Sequence, residues 1–374
     1  MLKALADNPL VPRAAEALSG FEAYLVGGFV RDALLGRPCL DVDLVLVPRG
    51  RDPIQDLKKA IASLSEAFGV KPTRSQFLTG KLVLEQGEID IALARKEEYH
   101  EPGSLPVVRP TQSLEEDLRR RDFTANAIAM SLSGEIVDPL GGTSDVRARV
   151  LRVIYRGSFR DDPTRAIRAI RYRHQLGFSY SDETEEEFAL ARRYIARVSF
   201  ERIKHELARS SERPERASIW LEMAERSLVG ERVPNREAFF LLSERAKLGP
   251  DSWVLFYGLV SESIPSGLTR AERKTLSWII RNAGREFAGL GEAHEALRTA
   301  PEEALLALGA LNPLVEDYRR RRCGAKPLTS TEEMVAMGFS GKELGRAILA
   351  LEKERIEARI KTRAEEREFL EKLF

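Results

Sequence analysis

The chain has 374 residues, with 59 lysines and arginines against 58 aspartates and glutamates, which gives a formal net charge of +1. At roughly 100–200 residues per domain, this length predicts two or three domains, each with its own core. The near-zero charge excludes a histone-like polycation, although a local basic patch is enough to bind nucleic acid.

The first part of the chain alternates strand and helix patterns. We expect strands over residues 23–26, 41–47, 81–85 and 88–94, the last two as a hairpin. Helices are expected over residues 29–35, 57–68 and 118–129. Residues 99–111 contain three prolines and a glycine and are expected to form a loop. From residue 143 onward almost the whole chain has helical patterns, so a mixed head precedes a long helical region.

Two aspartates, Asp41 and Asp43, lie two residues apart in the second predicted strand and therefore on one face of it. Two carboxylates held together are unfavourable unless a cation lies between them, and Mg²⁺ prefers such oxygen ligands and shares them with substrate phosphates. Upstream, Gly27-Gly28 precedes a helix and lets phosphate approach backbone N–H groups. Each pattern alone is usually a turn or a polar strand face. In this order and spacing they predict a nucleotidyltransferase active site.

The segments VGGFVRDALLG (26–36) and DVDL (41–44) resemble the head signature of the bacterial class II tRNA nucleotidyltransferase and poly(A) polymerase family. The resemblance implies that Asp41 and Asp43 are catalytic and bind the metal ions, with Mg²⁺ as the cofactor. The nucleotide-binding residues that we assign in this segment are Gly27, Gly28 and Arg31. Asp90 is a candidate third catalytic carboxylate, and a solvent-facing strand acid is the alternative.

The fold implied by this resemblance is an α+β, palm-like nucleotidyltransferase head with a mixed sheet, followed by an all-α neck, body and tail. We place the head at residues 1–142 and a neck with the nucleotide-selecting helix at 143–209. The helical body then covers residues 210–310, and a helical tail for tRNA binding covers 311–374.

The segment RRDFTANA (120–127) resembles the family motif associated with ribose recognition. The guanidinium group of arginine binds phosphate through paired N–H donors, and a carboxylate with an amide can bind hydroxyl groups. We assign Arg121, Asp122 and Asn126 to the incoming nucleotide. An isolated Arg-Arg-Asp run would instead be a solvated helix face. Downstream, IVDPLGG (136–142) resembles a closing turn of the family, which we interpret as structural.

The run Asp161-Asp162-Pro163-Thr164-Arg165 has two interpretations. As a helix start, it places Asp162 at the N-cap and a proline at the first helical position. An aspartate and an arginine three residues apart can also bind the Watson–Crick edge of a base. The family carries EDxxR here, so the resemblance implies that Asp162 and Arg165 select CTP or ATP without a nucleic-acid template. Arg168 is assigned to the nucleotide as well, and Asp161 replaces the usual glutamate.

Arginines are concentrated in two places. Residues 151–175 contain seven arginines and two acids, a bias typical of a face that binds nucleic acid or phosphate. Residues 319–322 are four consecutive arginines, which suit an RNA backbone and equally a solvated surface.

Members of the family add CCA, only CC, only A, or poly(A). Residues 95–113 correspond to a loop that is shortened in CC-only members, and the length of this segment argues against CC-only addition. Poly(A)-forming members usually carry a basic C-terminal tail, whereas residues 352–371 are rich in glutamate. We therefore expect template-independent addition of C and/or A, from CTP and ATP, to the 3′ end of tRNA.

Three alternatives remain. One is a poly(A) polymerase of the same family, and another is a catalytically idle RNA-binding protein on the same fold. A small-molecule nucleotidyltransferase would leave the long helical region unexplained.

The remaining predictions concern location and partners. Two cysteines, Cys39 and Cys323, are too few and too far apart for a disulfide framework or a zinc site. Apolar runs fall short of the ~18 residues that a membrane span needs, and no signal-peptide pattern is visible. We expect a cytoplasmic protein with tRNA, ATP and CTP as partners and no membrane contact. No protein partner is identifiable from the sequence.

Overall fold

The structure is a computed structural model that describes residues 8–39, 41–76, 79–232 and 235–373. The chain divides into two compact units, Met1–Ser199 and Phe200–Phe374. The predicted head, neck, body and tail divide the chain more finely, and their boundaries stay predictions.

The first unit contains all the strands of the described residues. They are β1 (Glu22–Val26), β2 (Val42–Val47), β3 (Arg74–Gln76), β4 (Thr79–Leu84), β5 (Gly87–Leu93), β6 (Arg95–Glu98), β7 (Val107–Pro110), β8 (Ala129–Ser131), β9 (Ile136–Val137), β10 (Val150–Leu151) and β11 (Ser179–Tyr180). Seven of these strands form one sheet in the order β3-β4-β5-β2-β1-β8-β9. Within it β2 and β5 are parallel and the other neighbours are antiparallel, so the predicted mixed sheet is confirmed.

The helices of the first unit lie between and after these strands. They are α1 (Leu10–Ala17), α2 (Gly28–Leu34), α3 (Pro53–Phe68), α4 (Leu114–Arg119), α5 (Gly142–Ala148), α6 (Ser158–Asp161), α7 (Thr164–Leu176) and α8 (Asp182–Tyr194). Helix α3 begins four residues before the predicted start. Its N-cap is Asp52, whose Oδ1 accepts hydrogen bonds from the backbone N–H groups of Ile54 and Gln55, with Pro53 as the first helical residue.

The alternation of side chains gives the sheet two different faces. Gly80 of β4 pairs with Ile91 of β5, which pairs with Leu44 of β2, so these three share one face. Helix α3 covers that face closely, because a Cβ at Gly80 would lie 2.4 Å from Cδ1 of Ile61. The polar residues of β2, β4 and β5 therefore lie on the opposite face.

Two sequence predictions for this unit are wrong. Residues 99–111 are not wholly a loop, because Val107–Pro110 forms β7 and pairs with β6 in an antiparallel ribbon. Its prolines and glycine indicated a loop, but β-branched Val107 and Val108 suit a strand, and an edge strand tolerates proline. Residues 118–129 are not one helix either. Helix α4 ends at Arg119, a 3₁₀ turn covers Thr124–Asn126, and β8 follows.

The regular secondary structure of the second unit is entirely helical among its described residues, as predicted for the region after the head. Its helices are α9 (Phe200–Ser211), α10 (Arg216–Glu225), α11 (Arg236–Arg245), α12 (Trp253–Val260), α13 (Arg270–Asn282), α14 (Leu290–Leu297), α15 (Glu302–Leu311), α16 (Pro313–Arg321), α17 (Thr331–Ala336), α18 (Gly341–Ile356) and α19 (Arg363–Glu371). Buried aromatic rings fill its centre, with Trp220 and Phe239 both stacked near Phe256. Among the described residues, no helix has the length and apolarity that crossing a membrane requires.

The four arginines at 319–322 lie in this unit and all form ion pairs. Their partners are Glu302, Glu316 and Asp317, all within the second unit. The side chains are therefore already engaged by acids of the same unit, which agrees with the surface interpretation of this cluster.

Candidate active site

The Gly27-Gly28 turn connects β1 to α2 and lies beside the acidic residues. Gly27 has φ +67°, a left-handed conformation that favours glycine. A Cβ at this position would lie 3.1 Å from Nη1 of Arg121 and 3.7 Å from Oδ2 of Asp43. The turn thus brings backbone that carries no side chain close to a carboxylate and a guanidinium group.

Two of the three predicted carboxylates lie side by side at the centre of the sheet. Asp43 lies on β2 and pairs in register with Asp90 on β5, whereas Asp41 is exposed and lies just before β2. The pKa of Asp43 is raised to about 6, chiefly by burial; the charge of Arg121 opposes the rise, and the charges of Asp90 and Asp41 add to it. The described residues contain no group of three or more His, Cys, Asp or Glu side chains arranged to hold a metal ion.

The donor set at this point nevertheless fits a divalent cation. Asp41 and Asp43 offer hard oxygen ligands, and burial, which is the main cause of the raised pKa of Asp43, makes its charged form unfavourable without a cation. Mg²⁺ is usually bound by one or two carboxylates together with substrate phosphates rather than by a complete protein cage. Two carboxylates without a third ligand agree with that mode of binding.

Arg121 is held in place by a residue that the sequence analysis did not select. Asp117, fully buried in α4, accepts a hydrogen bond from Nη2 of Arg121 at 3.0 Å and one from Nε of Arg120 at 2.9 Å. Although burial raises it, these two guanidinium groups bring the pKa of Asp117 below its usual range. Among the described residues, Nε of Arg121 is buried and has no hydrogen-bond partner. The spacing of four residues on a helix was the available signal for Asp117.

Four predicted nucleotide-binding residues form one hydrogen-bonded chain. Nη1 of Arg31 donates to Oδ1 of Asn126 at 2.6 Å, and Nδ2 of Asn126 donates to Oδ1 of Asp122 at 2.9 Å. Nε of Arg168 donates to Oδ2 of Asp122 at 2.8 Å. Burial acts to raise the pKa of Asp122, but Arg168 and Asn126 lower it to about 2. The network joins α2, the RRDFT segment and α7 across the interior of the first unit.

Asp162 and Arg165 lie at the start of α7, and each has partners inside the protein. Oδ1 of Asp162 accepts hydrogen bonds from N and Oγ1 of Thr164, at 3.0 and 2.6 Å. The helix begins at Thr164 with Pro163 as its N-cap, one residue later than the sequence predicted. Arg165 is buried and donates to Oγ of Ser158 at 2.8 Å and to the backbone O of Arg120, also at 2.8 Å. The two residues are thus close in the chain but turned toward separate partners.

Two tyrosines complete the surroundings of Arg165, and sequence reasoning missed both. The hydroxyl of Tyr155 accepts from Nη1 of Arg165 at 3.2 Å, and that of Tyr99 accepts from Nη2 at 3.4 Å. Tyr99 comes from the segment between β6 and β7, 66 residues earlier. No local pattern in the sequence could have indicated this contact.

Tyr172 is a third aromatic residue that the sequence did not single out. Its ring has three guanidinium groups near it, those of Arg31, Arg168 and Arg171, at 5.2, 5.6 and 4.6 Å from the centroid. The arginine-rich segment is thus organised partly around an aromatic ring rather than pointing wholly to solvent.

Parts of the chain are similar to known proteins. The family model described as the poly A polymerase head domain matches residues 23–152. A CCA-adding enzyme of Geobacillus stearothermophilus is 37% identical over 195 residues, which is 50% of this chain and 45% of that protein. An A-adding tRNA nucleotidyltransferase of Halalkalibacterium halodurans is 28% identical over 387 aligned positions, covering 94% of this chain and 88% of that protein.

A solved structure extends the likeness of fold to both units. The Thermotoga maritima CCA-adding enzyme complexed with tRNA aligns with a TM-score of 0.72 at 22% identity, covering 99% of this chain and 97% of that one. The chain spans less than half the length of the Geobacillus relative. In its head domain and over much of its length, the chain is thus similar to CCA-adding and A-adding tRNA nucleotidyltransferases.

Proposed function

We propose that this protein is a template-independent nucleotidyltransferase that adds C and/or A to the 3′ end of tRNA from CTP and ATP, in the cytoplasm. The observation that carries this proposal is the pairing of Asp43 with Asp90, beside Arg121 and the Gly27 turn, within a family head domain. The names of the relatives, which are CCA-adding and A-adding enzymes, support the same substrate class.

In the proposed reaction the 3′-hydroxyl of the tRNA attacks the α-phosphorus of the nucleotide. The new bond is a phosphodiester, and the bond that breaks releases pyrophosphate. Nucleotidyltransferases of this family in general depend on a divalent metal ion. We propose Mg²⁺, held by Asp41 and Asp43; when bound it lowers the pKa of the hydroxyl and balances the charge of the leaving group.

The remaining side chains are proposed to bind and orient the nucleotide. The Gly27-Gly28 turn and Arg121, which lie beside Asp43, are proposed to bind the phosphates. Asp122 and Asn126 hold the ribose, with Arg31 and Arg168 fixing their positions through the hydrogen-bonded network. Positioning and charge balance of this kind supply most of the rate in phosphoryl-type transfer.

Selection of the base is assigned to Asp162 and Arg165. Between them, Asp162 and Arg165 are engaged by Thr164, Ser158 and the two tyrosines, so base binding requires exchange of some of these partners. The carboxylate and the guanidinium offer the acceptors and donors that the edges of cytosine and adenine need.

The experiment that tests the proposal offers three tRNAs, ending before CCA, after the first C and after CC, with CTP and ATP separately. Incorporation into any of them supports the function, and the pattern gives the specificity. Extension of only the CC-ended tRNA by ATP identifies an A-adding enzyme, and a long homopolymer identifies a poly(A) polymerase. No transfer to any tRNA under any metal condition contradicts the proposal.

A further inference from the structure

Two residues of the sheet near the proposed metal site, Lys81 and Val83, have no role in the mechanism above. Lys81 on β4 pairs in register with Asp90 on β5, and Asp90 pairs with Asp43 on β2. The three residues therefore form a row across one face of the sheet. Nζ of Lys81 lies 3.4 Å from Oδ2 of Asp90, and Lys81 forms a closer ion pair with Glu88.

This part of the sheet is open to solvent. The side chain of Lys81 is 30% exposed and that of Asp90 is 48% exposed. Val83 lies two residues after Lys81 and therefore on the same face of β4. Its apolar side chain is 48% exposed, whereas side chains on the other face of the strand, such as Leu82, are buried. An accessible ammonium, a carboxylate and an apolar side chain lie together beside the candidate catalytic residues.

The proposed triphosphate-binding groups lie on the other side of Asp43. In the sheet, β2 has β5 as one neighbour and β1 as the other. Gly27 follows β1, and Nη1 of Arg121 lies beside that glycine. In an in-line displacement the attacking oxygen and the leaving group are on opposite sides of the phosphorus. If pyrophosphate leaves on the β1 side, the attacking 3′-hydroxyl approaches from the β5 side.

We propose that Lys81 and Val83 bind the last nucleotides of the acceptor RNA, an inference that rests on the proposed function. Lys81 contacts the terminal phosphodiester, because an ammonium binds phosphate as a point charge. Val83 packs against the adjoining ribose or base. Glu88 balances the charge of Lys81 when no RNA is bound, and the phosphate takes its place when RNA binds.

Steady-state kinetics of the full chain with a CC-ended tRNA and ATP test this placement. In K81A we expect the KM for tRNA to rise about five- to tenfold, with kcat and the KM for ATP within about twofold of wild type. The plot of log(kcat/KM) for tRNA against the logarithm of the salt concentration has a negative slope. In K81A this slope should be less steep by about 0.7, the value for one single-strand phosphate contact. K81R should restore much of the loss. K59A, which removes an exposed lysine from α3, is the matched control and should change none of these values.

Crosslinking gives a readout that does not need activity. A tRNA with 4-thiouridine just before its terminal CC is irradiated with the wild-type chain, and the attached peptide is identified by mass spectrometry. Crosslinks within residues 79–93 support the inference. If the chain transfers no nucleotide but still gives these crosslinks, the proposed function is wrong and the RNA-binding inference is still supported. An unchanged KM for tRNA in K81A, a raised KM for ATP instead, or crosslinks exclusively outside this segment would overturn it.

Discussion

Arg168 and Asp122 connect the arginine-rich helix to the RRDFT segment. Nε and Nη2 of Arg168 lie 2.8 and 2.7 Å from the same carboxylate oxygen of Asp122. The other oxygen of Asp122 accepts from Asn126, which in turn accepts from Arg31. One buried carboxylate thus connects α2 and α7 to the segment proposed to bind ribose.

Replacing Asp122 with asparagine should lower the free energy of unfolding by roughly 2–4 kcal/mol, since the charge of Arg168 loses its buried partner. Urea unfolding of the full chain, followed by the loss of head structure, measures the change. Glu115→Gln is the matched control, because Glu115 pairs with Arg119 at the surface, with more than half of each side chain exposed. That pair should contribute less than about 1 kcal/mol. Equal effects of the two substitutions would contradict the role given to Asp122.

The same carboxylate predicts a pH dependence of stability. The pKa of Asp122 is about 2 in the folded chain, below the ordinary aspartate value of 3.8 that applies when the chain is unfolded. A lowered folded-state pKa contributes stability that is complete above the unfolded value and is lost as the pH falls through the folded one. The difference in unfolding free energy between wild type and D122N should therefore be constant from about pH 5 to 8 and shrink from about pH 4 downward. A difference that persists at about pH 2 would show that the ionised carboxylate is not its source.

The motif residues were predictable from the sequence because each motif is local. The Gly27 turn, the strand after Asp41 and the helix start at Asp162 depend on neighbours within a few positions. The pairing of Asp43 with Asp90 was not predictable, because it depends on the register of two strands separated by α3 and a hairpin. The sequence therefore indicated Asp90 only as one of two alternatives.

Long-range contacts explain the remaining errors. Residues 118–129 have an apolar spacing that suits a helix, but the backbone N–H of Thr124 bonds to the O of Arg152 and Phe123 bridges to Val153. These contacts, made with a segment nearly 30 residues away, end the helix early. Tyr99 reaches Arg165 in the same way, from a segment that its prolines identified only as a loop.

The turn at Gly141-Gly142 provides a test of close packing. A Cβ at Gly142 would lie 2.1 Å from the backbone O of Thr124, so G142A should destabilise the chain by roughly 3–5 kcal/mol through forced displacement. Gly141 has φ +72° and nothing within 4 Å of its Cβ position, so G141A should cost only about 1–2 kcal/mol of backbone strain. Thermal or urea unfolding of both variants measures the contrast. A larger effect at Gly141 would contradict the packing argument.

Glu366 organises the end of the second unit. It is fully buried, accepts hydrogen bonds from the backbone N–H groups of Leu328 and Thr329, and pairs with Arg355 at 2.7 Å. E366A should destabilise this region by roughly 3–5 kcal/mol, seen as faster proteolysis within residues 326–373. Glu368, whose partner Lys372 is exposed, is the control: E368A should leave the proteolysis rate close to wild type.

Asp43 links metal binding to pH. Burial raises its pKa to about 6, so a proton competes with the metal ion for this carboxylate below that pH. The Mg²⁺ concentration for half-maximal incorporation should therefore increase about tenfold for each unit of pH below about 6 and level off above it. D43A should abolish incorporation but leave tRNA binding intact in a filter-binding assay. Glu85→Gln, in the exposed turn between β4 and β5, should change neither. Retained incorporation in D43A, or a half-maximal Mg²⁺ concentration independent of pH, would contradict the assignment of Asp43 as a metal ligand.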